Sequence, residues 1–203
     1  MMKQYLEIKE EYFEEILFYR MGDFYEMFFN DAKIASSMLD ITLTKRGQWN
    51  NNDIPMCGIP FHSSESYLSK LINNGYRVAV CEQINEIEND VKKNKGPMKR
   101  KVVRVITPGT VLEESFFDDN PNNFLCSWNE VNGRHSISWV DLSTGIFCVQ
   151  KIDINQANAF ETALERLSPR ELIMPLKMKE QKPHYFRGCV TFQADSLFQR
   201  QCL

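Results

Sequence analysis

The chain has 203 residues, of which 43% are hydrophobic and 25% charged, and a formal net charge of −3. That length suits one large domain or two modest ones, and the composition supplies a core within a charged surface. Net acidity argues against a general nucleic-acid binder, no apolar run approaches the ~20 residues that span a bilayer, and the start Met-Met-Lys-Gln-Tyr-Leu-Glu lacks the apolar core of a secretory leader.

Residues 2–15 read as a helix, with Met2, Tyr5, Leu6, Ile8, Tyr12 and Phe13 among glutamates. Residues 16–21 have the content of a buried strand, ended by Gly22. Asp23 follows at an N-cap position with Glu26 three residues on, the spacing of a capping box. A second helix is expected over 24–39, where apolar positions 24, 27, 28, 34, 35, 38 and 39 keep the three-to-four spacing. Ile41–Thr44 reads as a short strand, 48–53 as a polar loop rich in Asn, and Ile54–Ile59 as another short strand. Ser63 or Ser64 caps a helix to about Asn74, with Gly75 at its C′ position. Tyr76–Cys81 reads as a strand and 85–96 as a charged, mobile loop. Lys101–Ile106 reads as a strand in which Val and Ile alternate with Arg and Lys.

Residues 113–123 are acidic and then rich in Asn, Asp and Pro, so they read as a linker. Strands follow at 124–128, 134–142 and 145–152, with a strong hairpin signal at Asn132-Gly133. A helix over 155–167 and a strand over 171–174 complete the pattern. Two α/β units are expected, 1–115 and 122–203, joined by 116–121.

The densest stretch is Leu17–Phe29, with six aromatic residues in thirteen. One core has little use for all six. By helical spacing Phe24 would lie on the buried stripe, and Glu26 alone would read as a cap. On an ideal helix the two stand about 200° apart, so they share a face only where the chain is extended or where Phe24 begins the helix. Other blocks follow in order: Leu43-Thr44-Lys45-Arg46-Gly47, Ile54-Pro55-Met56-Cys57-Gly58-Ile59-Pro60, Tyr67-Leu68, Val80-Cys81-Glu82-Gln83, Lys95-Gly96-Pro97, and Arg100–Arg104 through Thr107-Pro108-Gly109-Thr110. With Phe-Tyr-Arg-Met-Gly-Asp-Phe-Tyr-Glu ahead of them, these blocks resemble the DNA mismatch repair protein MutS family.

The resemblance implies a mixed-sheet α/β mismatch-recognition domain followed by a ribonuclease H-like α/β connector domain, incomplete at its end. It implies that Phe24 stacks on a mispaired base and Glu26 hydrogen-bonds it. A mispair is poorly stacked, so kinking the duplex there costs less than at a matched step, and an aromatic wedge converts that difference into binding energy. A protonated Glu26 donates a hydrogen bond to the base, whereas an ionised one penalises matched sites; the residues leave both open. The implied partners are mismatched double-stranded DNA and downstream repair factors. The implied setting is the bacterial cytoplasm at the nucleoid. The family grips DNA as a homodimer, while this piece is expected to be monomeric and to bind DNA weakly. ATP and Mg belong to a family region beyond this chain, so no cofactor is expected here. A rival reading is a protein-interaction module that uses the connector surface without binding DNA.

Phosphate contacts supply affinity. Candidates are Lys45 and Arg46 after the Thr-rich strand, Arg100 and Arg104, and the helix start at Ser63. Residues 41–104 hold eleven bases and six acids, against nine acids and four bases in 1–40. Local basicity of that kind lets an acidic protein bind phosphate. Enzyme readings lack support. No P-loop pattern occurs. Asp141, before Ser143-Thr144-Gly145, more simply begins a turn than serves a two-metal nuclease. The six cysteines show no Cys-x-x-Cys pair and read as free thiols.

Overall fold

Ile16–Met21 forms strand β1, in which Leu17, Phe18 and Tyr19 are fully buried, so both of its faces are covered. The computed structural model describes residues 1–84, 98–111, 123–153, 155 and 158–199, in two units, 1–106 and 107–203. In the first unit β1 lies inside a six-stranded sheet. It pairs antiparallel with β2 (Phe24–Phe28) across the Gly22-Asp23 turn, and parallel with β5 (Val78–Gln83). Strand β4 (Asn52–Pro60) pairs with the far side of β2, β3 (Thr44–Trp49) with β4, and β6 (Arg100–Ile106) with β5. The order is β3-β4-β2-β1-β5-β6, with β3 and β6 at the edges.

Strand alternation assigns the two faces. Phe18, Tyr25, Met27, Cys57 and Ile59 point to one side, where α2 (Phe29–Leu39) and α3 (Ser64–Asn73) pack; the Cys57 thiol donates to the Ala32 carbonyl at 3.4 Å. Leu17, Tyr19, Phe28, Ile54, Ala79 and Cys81 point to the other. There α1 (Met2–Glu11) sets the Tyr5 ring edge-on to Tyr19 and Phe28, at centroid distances of 5.4 and 5.0 Å. Buried Asp31 ties the layers together: its carboxylate accepts from Lys9 Nζ at 2.9 Å and from the Leu17 N–H at 3.0 Å.

Several expected elements are corrected. The helix expected over 24–39 is strand Phe24–Phe28 followed by helix Phe29–Leu39. Aromatic residues favour a pleated, half-buried surface, and β2 is paired on both edges; that tertiary pairing overrides the helical spacing. Asp23 is therefore a turn residue and not a cap, with Gly22 at φ +60° in the first central position of a two-residue hairpin. The strand expected at Ile41–Thr44 is displaced to Thr44–Trp49, and the 48–53 loop is a hairpin turning at Asn50-Asn51. Both asparagines have positive φ, +50° and +63°, which asparagine tolerates. The first helix ends at Glu11. The loop expected at 85–96 and the linker centre at 116–121 lie outside the described residues. Asn123, read as linker, is buried and donates to the Val111 carbonyl at 2.8 Å.

The second unit is a five-stranded sheet of order β11-β10-β7-β8-β9. Strands β7 (Phe124–Val131), β8 (Arg134–Asp141) and β9 (Ile146–Ile152) form an antiparallel meander, turned first at Asn132-Gly133. Strands β10 (Glu171–Pro175) and β11 (Cys189–Gln193) add in parallel. Helix α4 (Ala159–Leu167), shorter at its start than expected, packs Ala163, Leu164 and Leu167 on Cys126, Trp128, Ile137, Leu172 and Met174. Asp141 begins a turn: its Oδ1 accepts from the Ser143 N–H at 2.9 Å and hydroxyl at 2.6 Å, which holds its carboxyl below the usual range. The fold class is as expected, a mixed-sheet α/β unit followed by a ribonuclease H-like α/β unit.

Candidate nucleic-acid interface

Because β2 is extended, Phe24 and Glu26 share the sheet face that carries Phe28. Helix α1 covers that face over Phe28, which is fully buried. Phe24 is 47% exposed. The strand thus presents an aromatic ring and a carboxylate side by side at its open end.

The turn that carries Phe24 is braced from two sides. The Phe61 N–H donates to the Asp23 carbonyl at 2.8 Å. Arg20 Nε donates to the Gly22 carbonyl at 2.5 Å while its guanidinium lies 3.5 Å above the Phe61 ring. On the opposite face of β2, Tyr25 is buried and its hydroxyl donates to Glu82 Oε1. Burial first, and then that bond, push the phenol up to about 12, so Tyr25 stays a neutral donor at ordinary pH.

Strand β3 is exposed along its whole length and supplies the basic edge. Arg46 Nη1 donates to both oxygens of Glu26, at 2.6 Å to Oε1. Strand β4 lies between them, and there Gly58 stands directly opposite Glu26. Lys45 pairs with Asp53 at 2.7 Å, a contact that raises the lysine's pKa and lowers the aspartate's through their hydrogen bond. Between Lys45 and Gln48 the register slips, with Gly47 at φ +68°, a bulge that bends the edge strand.

The remaining predicted residues are placed elsewhere. Ser63 precedes α3 but its side chain caps nothing; its hydroxyl donates to the Pro60 carbonyl at 3.4 Å. A single 3₁₀ turn, Phe61–Ser63, leads into the helix and uses the Ser64 N–H. Arg100 is committed within the fold: it donates to the Arg20 carbonyl at 2.7 Å and the Met98 carbonyl at 2.9 Å, and lies 4.9 Å from the Tyr19 centroid. Arg104 is exposed on β6, opposite Val80. Six strands at ~4.8 Å spacing put β6 about 24 Å across the sheet from β3. The structure therefore gathers Phe24, Glu26 and Arg46, and leaves Ser63, Arg100 and Arg104 outside that group. Arg20 and Phe61 brace its turn and Gly58 stands opposite Glu26; the Phe61 and Gly58 contacts arise only when β4 returns to β2, so no local signal marks them. Among the described residues, no group of His, Cys, Asp and Glu is placed to hold a metal ion, and no helix is long and apolar enough to cross a membrane.

Fold and site together define a two-unit α/β protein that presents an aromatic–carboxylate pair on one strand beside a basic edge hairpin. The family model described as MutS domain I matches residues 1–115, and that described as MutS domain II matches 123–201. The chain belongs to the MutS family. It is 45% identical over 204 residues to the DNA mismatch repair protein MutS of Wolbachia pipientis wMel, covering 98% of this chain and 24% of that protein. It is 50% identical over 174 residues to the protein of that name from Roseobacter denitrificans, covering 85% of this chain and 20% of the relative. For that of Staphylococcus haemolyticus the identity is 46% over 180 residues, 89% of this chain and 20% of the relative. The chain thus spans about a fifth to a quarter of the length of these relatives.

Proposed function

We propose that this chain is the mismatch-reading and connector portion of a DNA mismatch repair protein, and that it binds mispaired DNA without transforming it. The observation that carries this reading is the half-exposed Phe24 beside Glu26 on an extended strand. An aromatic plane that enters the minor groove stacks on any base, so one residue serves many mispairs. Glu26 contributes discrimination, because a carboxylate near phosphates is unfavourable unless a base meets it. Arg46 provides a phosphate contact on the face of Phe24 and Glu26, while Lys45, paired with Asp53 on the other face of the edge hairpin, reaches phosphate only from the strand edge. In the free protein Arg46 holds both Glu26 oxygens. Binding then exchanges one anion for another at the guanidinium and releases Glu26 toward the base.

The test is binding at low salt to two short duplexes, one with a G·T mispair and one fully matched. The expected result is a mispair preference that Phe24→Ala removes, at a cost of about 1–3 kcal/mol, or roughly 5- to 150-fold. Equal binding to both duplexes, unchanged in Phe24→Ala, sinks the reading.

A second reading rests on the edge strand β9, where Ile146, Phe147 and Val149 are exposed at 53%, 66% and 64%. An apolar edge of that kind suits pairing with a partner strand, in keeping with a connector that contacts downstream repair factors. Val149→Lys should abolish such an association and leave DNA binding unchanged.

A further inference from the structure

Gly58 lies inside β4, where a glycine weakens a strand unless it serves a bulge, a special backbone angle or a close approach. The first two do not apply. The β2–β4 register runs unbroken from Phe24↔Pro60 to Phe28↔Met56, and Gly58 is not among the glycines with positive φ. Nor is the space filled by the protein. A Cβ at Gly58 would stand 3.5 Å from the Tyr25 carbonyl oxygen, 3.7 Å from Glu26 Cγ and 3.9 Å from Phe24 Cδ1, all ordinary contact distances. All three atoms belong to the neighbouring strand. The folded chain therefore has room for alanine at this position.

We infer that Gly58 is a specificity-determining residue: its bare backbone is the floor of the gap through which an unstacked base passes to reach Phe24 and Glu26 together. Gly58 stands across from Glu26 on β4, and the position of its missing Cβ lies within 4 Å of both Glu26 Cγ and Phe24 Cδ1, so a group that touches both side chains from the β4 side occupies the space above it. A methyl group there leaves the free protein undisturbed and meets the incoming base edge. This inference rests on the mismatch-reading proposal above. It concerns a residue that touches neither partner of the Glu26–Arg46 pair through a side chain of its own.

The test compares the unaltered chain with Gly58→Ala and Gly58→Val on G·T and matched duplexes at low salt, with thermal melting of each protein. The expected result is a melting temperature for Gly58→Ala within a few degrees of the parent, a mispair preference reduced at least threefold, and a larger loss for Gly58→Val. Matched-duplex binding stays unchanged, because phosphate contacts do not pass through the gap. A preserved preference in Gly58→Ala overturns this inference and leaves the mismatch-reading proposal standing. So does a large drop in its melting temperature, which would show that the fold itself needs glycine. No preference in the unaltered chain overturns both. A rival cause is a shift of Arg46. If Gly58→Ala has no effect in an Arg46→Ala background, the loss runs through Arg46 and the gap is not where the base passes.

Discussion

Phe24 and Phe28 are the same side chain on the same face of the same strand, four residues apart, and they have opposite surroundings. Phe28 is sealed by Tyr5 from α1 and by Asp31-linked packing. Phe24 lies past the reach of that helix and is half exposed. The difference comes from what the first helix covers and not from strand chemistry. The first helix makes one end of β2 a core and leaves the other end open.

Truncating each ring in turn should separate the two environments. Phe28→Ala should cost about 3–5 kcal/mol of folding stability, read from the urea midpoint, because it opens a cavity under Tyr5. Lys9→Ala should cost roughly 2–3 kcal/mol, since it strips the cation from buried Asp31; Lys9 keeps some solvent, which places the effect below that of a wholly buried pair. Thiols on both sheet faces give a pH test. Burial pushes Cys57 up to about 11 and Cys81 up to about 12, above the ordinary thiol value of about 8.5. Their contribution to stability is complete below that ordinary value and is lost as pH rises toward the folded values, because the unfolded chain ionises first. Urea midpoints at pH 7.5 and pH 10 should show this loss, and Cys81→Ala should reduce it. Arg46→Ala should change stability by less than about 1 kcal/mol, as a partly exposed pair does, while the salt slope of DNA binding falls by about one. Phe24→Ala should move stability least, within about 0.5 kcal/mol, while on the proposed reading it removes the mispair preference.

Strand β1, helix α3 and its terminal Gly75 were legible from periodicity and punctuation. The segment 24–28 was not, because apolar residues at 24, 27 and 28 satisfy a helical stripe as well as a strand whose final residue changes environment. Only the pairing with β1 and β4 decides it, and that pairing is non-local. The residues Phe24 and Glu26 were readable as a motif, and the extended chain removes the 200° conflict that a helix would impose. Arg46 was readable as a base but not as the partner of Glu26, twenty residues away in sequence and two strands away in the sheet. Arg100 looked like a phosphate contact from its charge, yet its fork binds two backbone carbonyls. Sequence reports the charge of a side chain, whereas the backbone acceptors that occupy it appear only once the chain is folded.

The two neighbours of β1 differ in how far along the chain they lie. Strand β2 follows after a two-residue turn, whereas the parallel partner of Ile16 is Val78, 62 residues later. A hairpin of this kind closes in about 1–10 μs, while the parallel pairing must first overcome the entropy of a long loop. The hairpin that displays Phe24 therefore has local means to form early, and the far half of the sheet joins it later. Local pairing thus sets the hairpin that carries Phe24, and the long-range pairing with β5 closes the sheet beside it.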